Sequence, residues 1–372
     1  MKYYFISGEA SGDMHAANCI KNILLFDDKA QFAFTGGDQM QEVTKLKADV
    51  HISDMNFMGF IDVLKHIRII KKNFKTVKQS ILKFKPDVLV LVDYPGFNLR
   101  MAKWAFEQGI NVNYYISPTV WAWKEGRVEL IKKYVKQLFV ILPFEEAFYK
   151  KHNYKAFFLG HPLLDAIDAK RAELKTFDEF VQKNQLSNLP IIAILPGSRM
   201  QEIQYMLNSM LEVKQHFQSY QFVIAGSTSL PKSAYHLAIK NDIKVVYAQT
   251  YDLLNLAKAG IIKSGTSTLE SALFKLPQVV CYKAGAISIK IAKFFVNIKY
   301  ISLPNLIMDK PIVKELIQND FNVGNIKSEL ELLLNNDTYR NQQLKDYQQL
   351  IDFLGGPGAS KKIAKQIVEG IK

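Results

Sequence analysis

Short apolar runs alternate with longer segments of helical period along almost the whole chain. Each run is rich in Val, Ile, Leu, Phe and Tyr and leads into a loop of small or polar residues before the next helical segment. This alternation is typical of βα units arranged around parallel sheets. It predicts strands at 3–6, 32–35, 88–92, 113–116, 139–142, 191–195, 222–225, 244–247, 260–263 and 279–282.

The predicted strands fall into two groups, separated by a polar, charge-mixed stretch at 166–188 without strand signal. We therefore predict an α/β chain of two doubly wound, Rossmann-like domains, 1–165 and 189–351, with 166–188 as a connector. The C-terminal helix, 352–372, is expected to join the first domain. Because ligands bind at the carboxyl ends of strands in such sheets, the cleft faced by both domains is the expected site.

Composition narrows the class of protein. The 372 residues are 48% hydrophobic and 22% charged, which excludes intrinsic disorder, and 48 Lys+Arg against 35 Asp+Glu leave a net charge of +13. Cys19 and Cys281 have no ligand spacing around them, so neither a disulfide framework nor a metal site is expected. The positive charge suits nucleic acid, anionic lipid headgroups or phosphorylated small molecules as partners.

The N-terminal segment predicts a cytoplasmic protein. One Lys precedes only a few apolar residues before the chain turns polar, which is too short for a signal peptide. No window of about 18 apolar residues occurs, so no membrane span is expected.

The loop SGEASGD after the first strand suits an anionic or sugar ligand. Its candidate contacts are Glu9, Ser11, Gly12 and Asp13. Two glycines let backbone N–H groups approach a ligand at the start of a helix. The spacing matches neither a dinucleotide-binding nor a P-loop motif. The alternative is an N-capped turn with Asp13 or Ser11 as the cap.

Two loops in the second half have similar chemistry. In LPGSR, Ser198 and Arg199 offer N–H groups and a planar guanidinium to a diphosphate. The loop KSGTSTLE offers Ser264, Gly265, Thr266 and Glu270. Its hydroxyl residues suit a phosphate, and the glutamate, one turn into the helix, suits a ribose diol. An ordinary cap with a solvated glutamate is the alternative.

A near-continuous apolar strand ends at Asp93, the first residue of DYPGFN. A carboxylate in this position acts as a general base when burial raises its pKa, whereas the alternative is a cap for the helix that starts near Phe97. Trp121 and Trp123 either support a sugar face or an acyl chain, or lie in the core.

Nine motifs then occur in one order along the chain: SGEASGD, FMGFIDVL, DYPGFN, YYISPTVWAWKEGR, ILPFEEAFY, FLGHPLLD, ILPGSRMQEI, SGTSTLE and SLPN. The chain strongly resembles the lipid-A-disaccharide synthases, a family of GT-B glycosyltransferases. One motif alone is weak, but nine collinear ones are very specific. The resemblance implies a GT-B-like fold, no metal or other cofactor, and a Gram-negative host.

The resemblance also implies a reaction. Proteins of this family join UDP-2,3-diacylglucosamine to 2,3-diacylglucosamine 1-phosphate, with inversion, to give lipid A disaccharide 1-phosphate and UDP. It makes Asp93 the expected base, with Glu9 and Asp13 as competitors. Gly96 stands where some relatives have an acidic residue, which weakens any argument for a paired carboxylate.

By the same resemblance, further residues are expected to contact the substrates. Arg199 with the Ser198 amide faces the diphosphate and Glu270 the ribose, whereas Asn305 of SLPN is a cleft residue of unspecified role. The remaining expected contacts are Ser11, Gly12, Trp121, Ser264, Gly265 and Thr266.

A basic segment, VLKHIRIIKKNFKTVKQSILKFK at 63–85, has apolar residues at helical spacing and no acidic residue. Such a helix lies at an anionic membrane surface. Its predicted docking residues are Lys65, Arg68, Lys71, Lys72 and Lys75. The alternative, a scaffold helix with a solvated basic face, is compatible with docking. Because the family's substrates are acylated, we expect a peripheral protein at the inner face of the inner membrane.

Two other functions are less well supported by the sequence. A UDP-GlcNAc 2-epimerase or a MurG-type transferase would share the fold but lack the combined SGEASGD and SPTVWAW blocks. A nucleic-acid-binding protein is suggested only by the charge, and the basic run has helical period without an RNA-binding signature, so no nucleic acid partner is expected. The break at 353–358 before the last helix would permit a swapped homodimer.

Overall fold

The computed structural model describes residues 1–55, 66–122, 125–285 and 299–371. The chain divides into two compact units. The N-terminal unit comprises Met1–Asp165 together with Gly355–Lys372, and the C-terminal unit comprises Ala166–Leu354.

The N-terminal unit is built on a parallel sheet with strand order β2-β1-β3-β4-β5-β6. The strands are β1 (Lys2–Ser7), β2 (Gln31–Thr35), β3 (Val88–Val92), β4 (Asn111–Tyr115), β5 (Gln137–Val140) and β6 (Ala156–Phe158). Its helices are α1 (Ala10–Ile23), α2 (Asp38–Thr44), α3 (Ile67–Phe84), α4 (Pro95–Glu107), α5 (Arg127–Tyr134), α6 (Phe144–Lys151) and the last helix, α16 (Ala359–Glu369), with a 3₁₀ turn at Ile52–Asp54.

The C-terminal unit repeats this plan with strand order β12-β11-β10-β7-β8-β9. The strands are β7 (Ile191–Leu195), β8 (Gln221–Gly226), β9 (Lys244–Tyr247), β10 (Ala259–Lys263), β11 (Gln278–Tyr282) and β12 (Lys314–Ile317). The helices are α7 (Pro162–Lys170), which crosses the unit boundary, α8 (Phe177–Asn184), α9 (Met200–Glu212), α10 (His236–Lys240), α11 (Thr250–Leu256), α12 (Thr266–Leu273), α13 (Leu303–Met308), α14 (Val323–Asn335) and α15 (Asp337–Leu354), with 3₁₀ turns at Arg171–Glu173, Val213–His216 and Lys232–Tyr235.

The central strand β3 shows why the sequence forms this architecture. All of its residues, Val-Leu-Val-Leu-Val, are buried. Leu89 and Leu91 join the core on one face of the sheet, whereas Val88, Val90 and Val92 join the core on the other. A strand with helices on both faces needs apolar residues at every position.

The last helix packs against the N-terminal unit. Ile363, Ala364 and Ile367 are fully buried in the same core cluster as residues of α1. The Asp165 carboxylate fixes the start of this helix by accepting hydrogen bonds from the Gly358 and Ser360 N–H groups, the latter at 2.7 Å. A carboxylate at a helix N-terminus satisfies donors that have no partner within the helix.

The predicted α/β class with two doubly wound parallel sheets is confirmed. Each of the ten predicted strands overlaps an observed strand, and the sequence analysis missed β6 and β12, which are edge strands. The segment 166–188 contains the end of α7 and the helix α8 and, as expected, no strand. Among the described residues, no helix combines the length and hydropathy needed to cross a bilayer.

Candidate active site

The loops that follow β1 and β3 meet at the carboxyl edge of the N-terminal sheet. A Cβ atom on Gly8 would overlap the ring of Tyr94, so the close approach of the two loops requires glycine. The Tyr94 hydroxyl is anchored by donating to the Met55 carbonyl at 2.7 Å. The fold thus brings SGEASGD and DYPGFN together, although they lie far apart in sequence.

Asp93 and Tyr94 have an uncommon backbone conformation. Their φ values are 47° and 50°, in the left-handed region that non-glycine residues rarely adopt. The Asp93 carbonyl accepts hydrogen bonds from the Asn98 side-chain amide and the Tyr114 hydroxyl, both at 2.7 Å. Backbone strain of this kind costs about 1–3 kcal/mol per residue and persists where surrounding structure enforces it, commonly at functional sites.

The Asp93 carboxyl is suited to accept a proton. Burial raises its pKa above the ordinary value, and a hydrogen bond from the Tyr94 N–H opposes that shift. A base must have a pKa high enough to take a proton and still be ionised at the working pH, and desolvation moves a carboxyl in that direction.

Asp13 has a different role in this structure. It is 2% exposed, and its two carboxylate oxygens accept from the backbone N–H groups of Gly37 at 2.7 Å and Gln39 at 2.9 Å, at the start of α2. This bonding makes Asp13 a cap of α2 rather than of its own helix, and it favours Asp93 over Asp13 as the base.

Glu9, Ser11 and Gly12 lie at the start of α1. Glu9 is the N-cap residue, and its charge adds to burial in raising the pKa of Tyr94. Ser11 is exposed, whereas a Cβ on Gly12 would come within 2.6 Å of the Ser7 hydroxyl. The first N–H groups of α1, as at any helix start, have no acceptor within the helix.

In the C-terminal unit, the loop after β7 is organised by Glu202. Its Oε2 accepts from the N–H groups of Ser198 at 3.0 Å and Arg199 at 3.2 Å. Gly197 has φ 110°, and a Cβ there would overlap the Glu202 carboxylate. The Ser198 amide, expected to face a diphosphate, thus donates to a carboxylate of the same chain.

The loop after β10 presents fewer donors than the sequence suggests. The Ser264 N–H donates to the Cys281 carbonyl at 2.9 Å, and its hydroxyl donates to the Ile301 carbonyl at 2.7 Å. Ser264 therefore fixes the loop. Gly265 is the N-cap of α12 and Thr266 its first residue, so donors for an anion come from these two positions.

Glu270 lies on α12, where its Oε1 accepts from the Tyr251 hydroxyl at 3.2 Å. Burial raises the pKa of Glu270, and this hydrogen bond acts in the opposite direction. Beside Tyr251, a cavity of about 310 Å³ is lined by residues 248–252 together with Lys170, Glu173, Leu174 and Lys175. The sequence analysis missed Tyr251; its position just after the strand 244–247 was the available signal.

Comparison with known proteins decides the family. A family model described as Lipid-A-disaccharide synthetase matches residues 3–369. The chain belongs to this family. Lipid-A-disaccharide synthases similar to it come from Coxiella burnetii (strain CbuG_Q212), with 33% identity over 97% of this chain and 96% of the relative, and from Syntrophus aciditrophicus, with 34% identity over 99% and 97%.

Solved structures similar to this lipid-A-disaccharide synthase family member support the fold. The UDP-GlcNAc 2-epimerase from Neisseria meningitidis bound to UDP-GlcNAc has a TM-score of 0.70 at 17% identity, covering 99% of this chain and 100% of the other. The glycotransferase of kitacinnamycin has a TM-score of 0.66 at 11% identity, covering 100% and 99%. The recognition from nine motifs is confirmed, and the chain is a GT-B glycosyltransferase of lipid A biosynthesis.

Asn305, from the family motif SLPN, is 1% exposed and fully engaged within the protein. Its side-chain amide donates to the Val313 carbonyl and to Glu315, and its oxygen accepts from the Val313 N–H, each at 2.9 Å. Asn305 therefore holds α13 against the start of β12, and it also lines a cavity of about 410 Å³.

Trp121 packs edge-on against Phe144 at 4.9 Å between ring centroids. It lies in a turn, and Trp123 is outside the described residues. Nearby Glu145 is 1% exposed, and burial raises its pKa to about 8, opposed mainly by hydrogen bonds from the Leu142 and Ile141 N–H groups. The Glu145 carboxyl therefore largely keeps its proton at neutral pH, beside a tryptophan that the sequence placed at the substrate.

The basic segment forms α3, whose faces are distinct. Val77 and Ile81 are buried in the core, whereas Arg68, Lys71, Lys72 and Lys75 are exposed; Lys65 lies outside the described residues. The apolar face of α3 therefore packs in the core, as the alternative of a scaffold helix predicts. The basic face is exposed and can contact a partner.

Proposed function

We propose that the chain transfers the sugar of UDP-2,3-diacylglucosamine to the 6-hydroxyl of 2,3-diacylglucosamine 1-phosphate. The products are the β-1′,6-linked tetraacyl disaccharide 1-phosphate and UDP. Family membership supports the reaction class. The single observation that carries the assignment in this chain is the partly desolvated Asp93 carboxyl on an enforced turn at the end of β3.

In the proposed mechanism, Asp93 accepts the proton of the acceptor 6-hydroxyl as its oxygen attacks the anomeric carbon from the face opposite UDP. The bond from that carbon to the diphosphate oxygen breaks, its electron pair leaves with UDP, and the configuration inverts. General base catalysis of this kind contributes about 10²–10⁴-fold to the rate. Tyr114 and Asn98 position the base by holding the Asp93 carbonyl.

We assign the binding of UDP to the C-terminal unit. Arg199 and the first N–H groups of α12 meet the diphosphate, because a guanidinium and a helix N-terminus both stabilise negative charge. Glu270, oriented by Tyr251, accepts from the ribose hydroxyls. The cavity beside Tyr251 offers room for part of the nucleoside.

An assay of disaccharide formation with Asp93→Asn tests the proposal. We expect the rate to fall about 10²–10⁴-fold, without a lower melting temperature, because an ionised carboxylate in a desolvated position costs stability. The matched control is Asp87→Asn, just before the opposite end of the same strand, where the Asp87 carboxylate accepts from the Lys2 N–H at 2.7 Å. Normal turnover in Asp93→Asn would contradict the base assignment, and no product from the parent protein would contradict the reaction.

We further propose that α3 docks the enzyme on the cytoplasmic face of an anionic membrane. Ile67 and Ile69, at 38% and 41% exposure, accompany the exposed basic residues. Each Lys or Arg near such a surface contributes about 1 kcal/mol, so four suffice for reversible attachment.

Vesicle flotation tests this docking. We expect binding to phosphatidylcholine vesicles that contain phosphatidylglycerol but not to pure phosphatidylcholine, and loss of binding when Arg68, Lys71, Lys72 and Lys75 are all replaced by Gln. The control replaces four exposed lysines of the C-terminal unit, Lys240, Lys244, Lys258 and Lys275. If both variants lost vesicle binding equally, binding would depend on net charge alone, which would contradict the role of α3.

A further inference from the structure

One ion pair lies between the two loops that we assign to the diphosphate. Glu202 Oε1 is 2.7 Å from Lys263 Nζ, and both side chains are largely buried, at 14% and 17% exposure. The other oxygen, Oε2, accepts from the N–H groups of Ser198 and Arg199. Three donors on two loops thus converge on one carboxylate.

Part of this arrangement is ordinary helix capping, since a glutamate at the third helical position commonly accepts from the N-cap N–H. The Ser198 N–H and the Lys263 ammonium go beyond that motif. In proteins, a phosphate oxygen commonly binds backbone N–H groups together with a cation. The Glu202 carboxylate therefore occupies a set of donors that suits a phosphate.

Lys263 is placed to serve both loops. It is the last residue of β10 and directly precedes the loop 264–266. A Cβ on Gly265 would lie 3.5 Å from the Lys263 ammonium, so this cation lies beside the start of α12 as well as beside the loop after β7.

We propose that Lys263 is a further diphosphate-binding residue, which pairs with Glu202 in the free enzyme and with a phosphate of UDP in the complex. This inference rests on the proposed binding of UDP by the C-terminal unit. In the free enzyme the carboxylate neutralises the buried ammonium. When the diphosphate arrives, Glu202 competes with it for the same donors, so Glu202 weakens UDP binding and favours release of the product.

Titration calorimetry with UDP and with uridine tests the roles of both Lys263 and Glu202. Lys263→Met should weaken UDP binding about 10-fold or more and leave uridine binding unchanged, because a hydrogen bond between two charged groups is lost. Lys263→Arg, which keeps the charge, should retain most of the affinity. Glu202→Gln still offers an oxygen to the loop N–H groups but carries no charge, so UDP should bind several-fold more tightly.

The control variant is Lys214→Met, which removes a lysine that donates to the Asn241 and Asp242 carbonyls just before β9, at the opposite edge of the same sheet. Its UDP affinity should equal that of the parent. Melting curves show whether each variant is folded, and Lys263→Gln replaces Lys263→Met if the latter is not.

Each other outcome overturns a defined claim. Unchanged UDP affinity in folded Lys263→Met or Lys263→Gln would make the ion pair purely structural and overturn the inference. Weaker UDP binding in Glu202→Gln would make Glu202 an organiser of the loop and overturn the competition. If the parent does not bind UDP, or Arg199→Ala binds it as the parent does, the proposed nucleotide site itself fails.

Discussion

The carboxyl edges of the two sheets have the same architecture but opposite chemistry. In the N-terminal unit, β3 ends in a carboxyl whose pKa is raised by burial, on two residues with left-handed backbone. In the C-terminal unit, two N–H groups of the loop after β7 and the Lys263 ammonium at the end of β10 surround the Glu202 carboxylate. In the function that we propose, one edge takes a proton and the other holds an anion.

The difference arises in the residues just after each strand. DYPGFN places an acid and a tyrosine directly after its strand, whereas LPGSR contains Gly197 and Ser198 and SGTS begins with Ser264 and Gly265, which are small residues. In each parallel sheet the loops that follow the strands gather at the carboxyl edge, so the same architecture can carry either kind of loop. Separate variants should therefore separate chemistry from nucleotide affinity.

The largest expected effect is that Asp93→Asn and Arg199→Ala impair two different quantities, the turnover rate and the affinity for UDP. The first should lower kcat about 10²–10⁴-fold and leave the Kd for UDP unchanged, because it removes a base and no nucleotide contact. The second should weaken UDP about 10–100-fold, because it removes a charged hydrogen-bond donor. Turnover kinetics and calorimetry on the same preparations measure both quantities. Loss of UDP affinity in Asp93→Asn would break the division of labour.

The units should also differ in acid stability. Burial lowers the pKa of His15 to about 4 and that of His161 to about 3. The charge of Asp165 partly opposes the lowering at His15, whereas the charge of His15 lowers the pKa of His161 further. The C-terminal unit's described histidines, His216 and His236, are exposed.

The sign of this pH dependence follows from linkage. The unfolded chain protonates these histidines near pH 6.5, whereas the folded N-terminal unit resists protonation until much lower pH, so stability is full above about pH 6.5 and is lost as the pH falls towards 4. At pH 5 the loss is on the order of 2 kcal/mol per histidine. Hydrogen exchange at pH 7 and pH 5 should show loss of protection confined to the N-terminal unit, and less of it in His15→Gln. Equal loss in both units would contradict this origin.

The next largest effect, on both stability and turnover, is expected at the contact between the loops after β1 and β3. Gly8→Ala places a methyl group in the Tyr94 ring and should cost about 1–3 kcal/mol of unfolding free energy, with a fall in kcat because Asp93 moves with Tyr94. Gly96→Ala in DYPGFN is the control, since nothing lies within 4 Å of its Cβ position. Urea unfolding and turnover kinetics measure the pair. A neutral Gly8→Ala would show that the loops do not constrain each other.

The sequence predicted ten of the twelve strands and the position of Asp93, because both follow from local apolar pattern and from the residue after a buried strand. It missed β6, which has only three residues, and β12, in which Lys314 and Glu315 leave only two apolar positions. The expected substrate contacts of Ser264, Asn305 and Asp13 stay predictions, and each of these residues has polar groups bonded within the protein. Such partners are set by the fold and lie up to dozens of residues away, as with Glu202 and Lys263. No local pattern reveals them.

The smallest expected effect is the loss of one helix cap in the C-terminal unit. Thr176 caps α8 in the C-terminal unit: its hydroxyl accepts from the Glu179 N–H at 3.4 Å, and Glu179 accepts from the Thr176 N–H at 2.8 Å. Thr176→Ala should therefore lower the unfolding free energy by about 1 kcal/mol, measured by urea titration. UDP affinity should not change, because the cap contributes no group to the LPGSR or SGTS loops. If Thr176→Ala weakened UDP as much as Arg199→Ala, the affinity of the C-terminal unit would depend on its general stability, and the loss in Arg199→Ala would no longer identify a contact with the diphosphate.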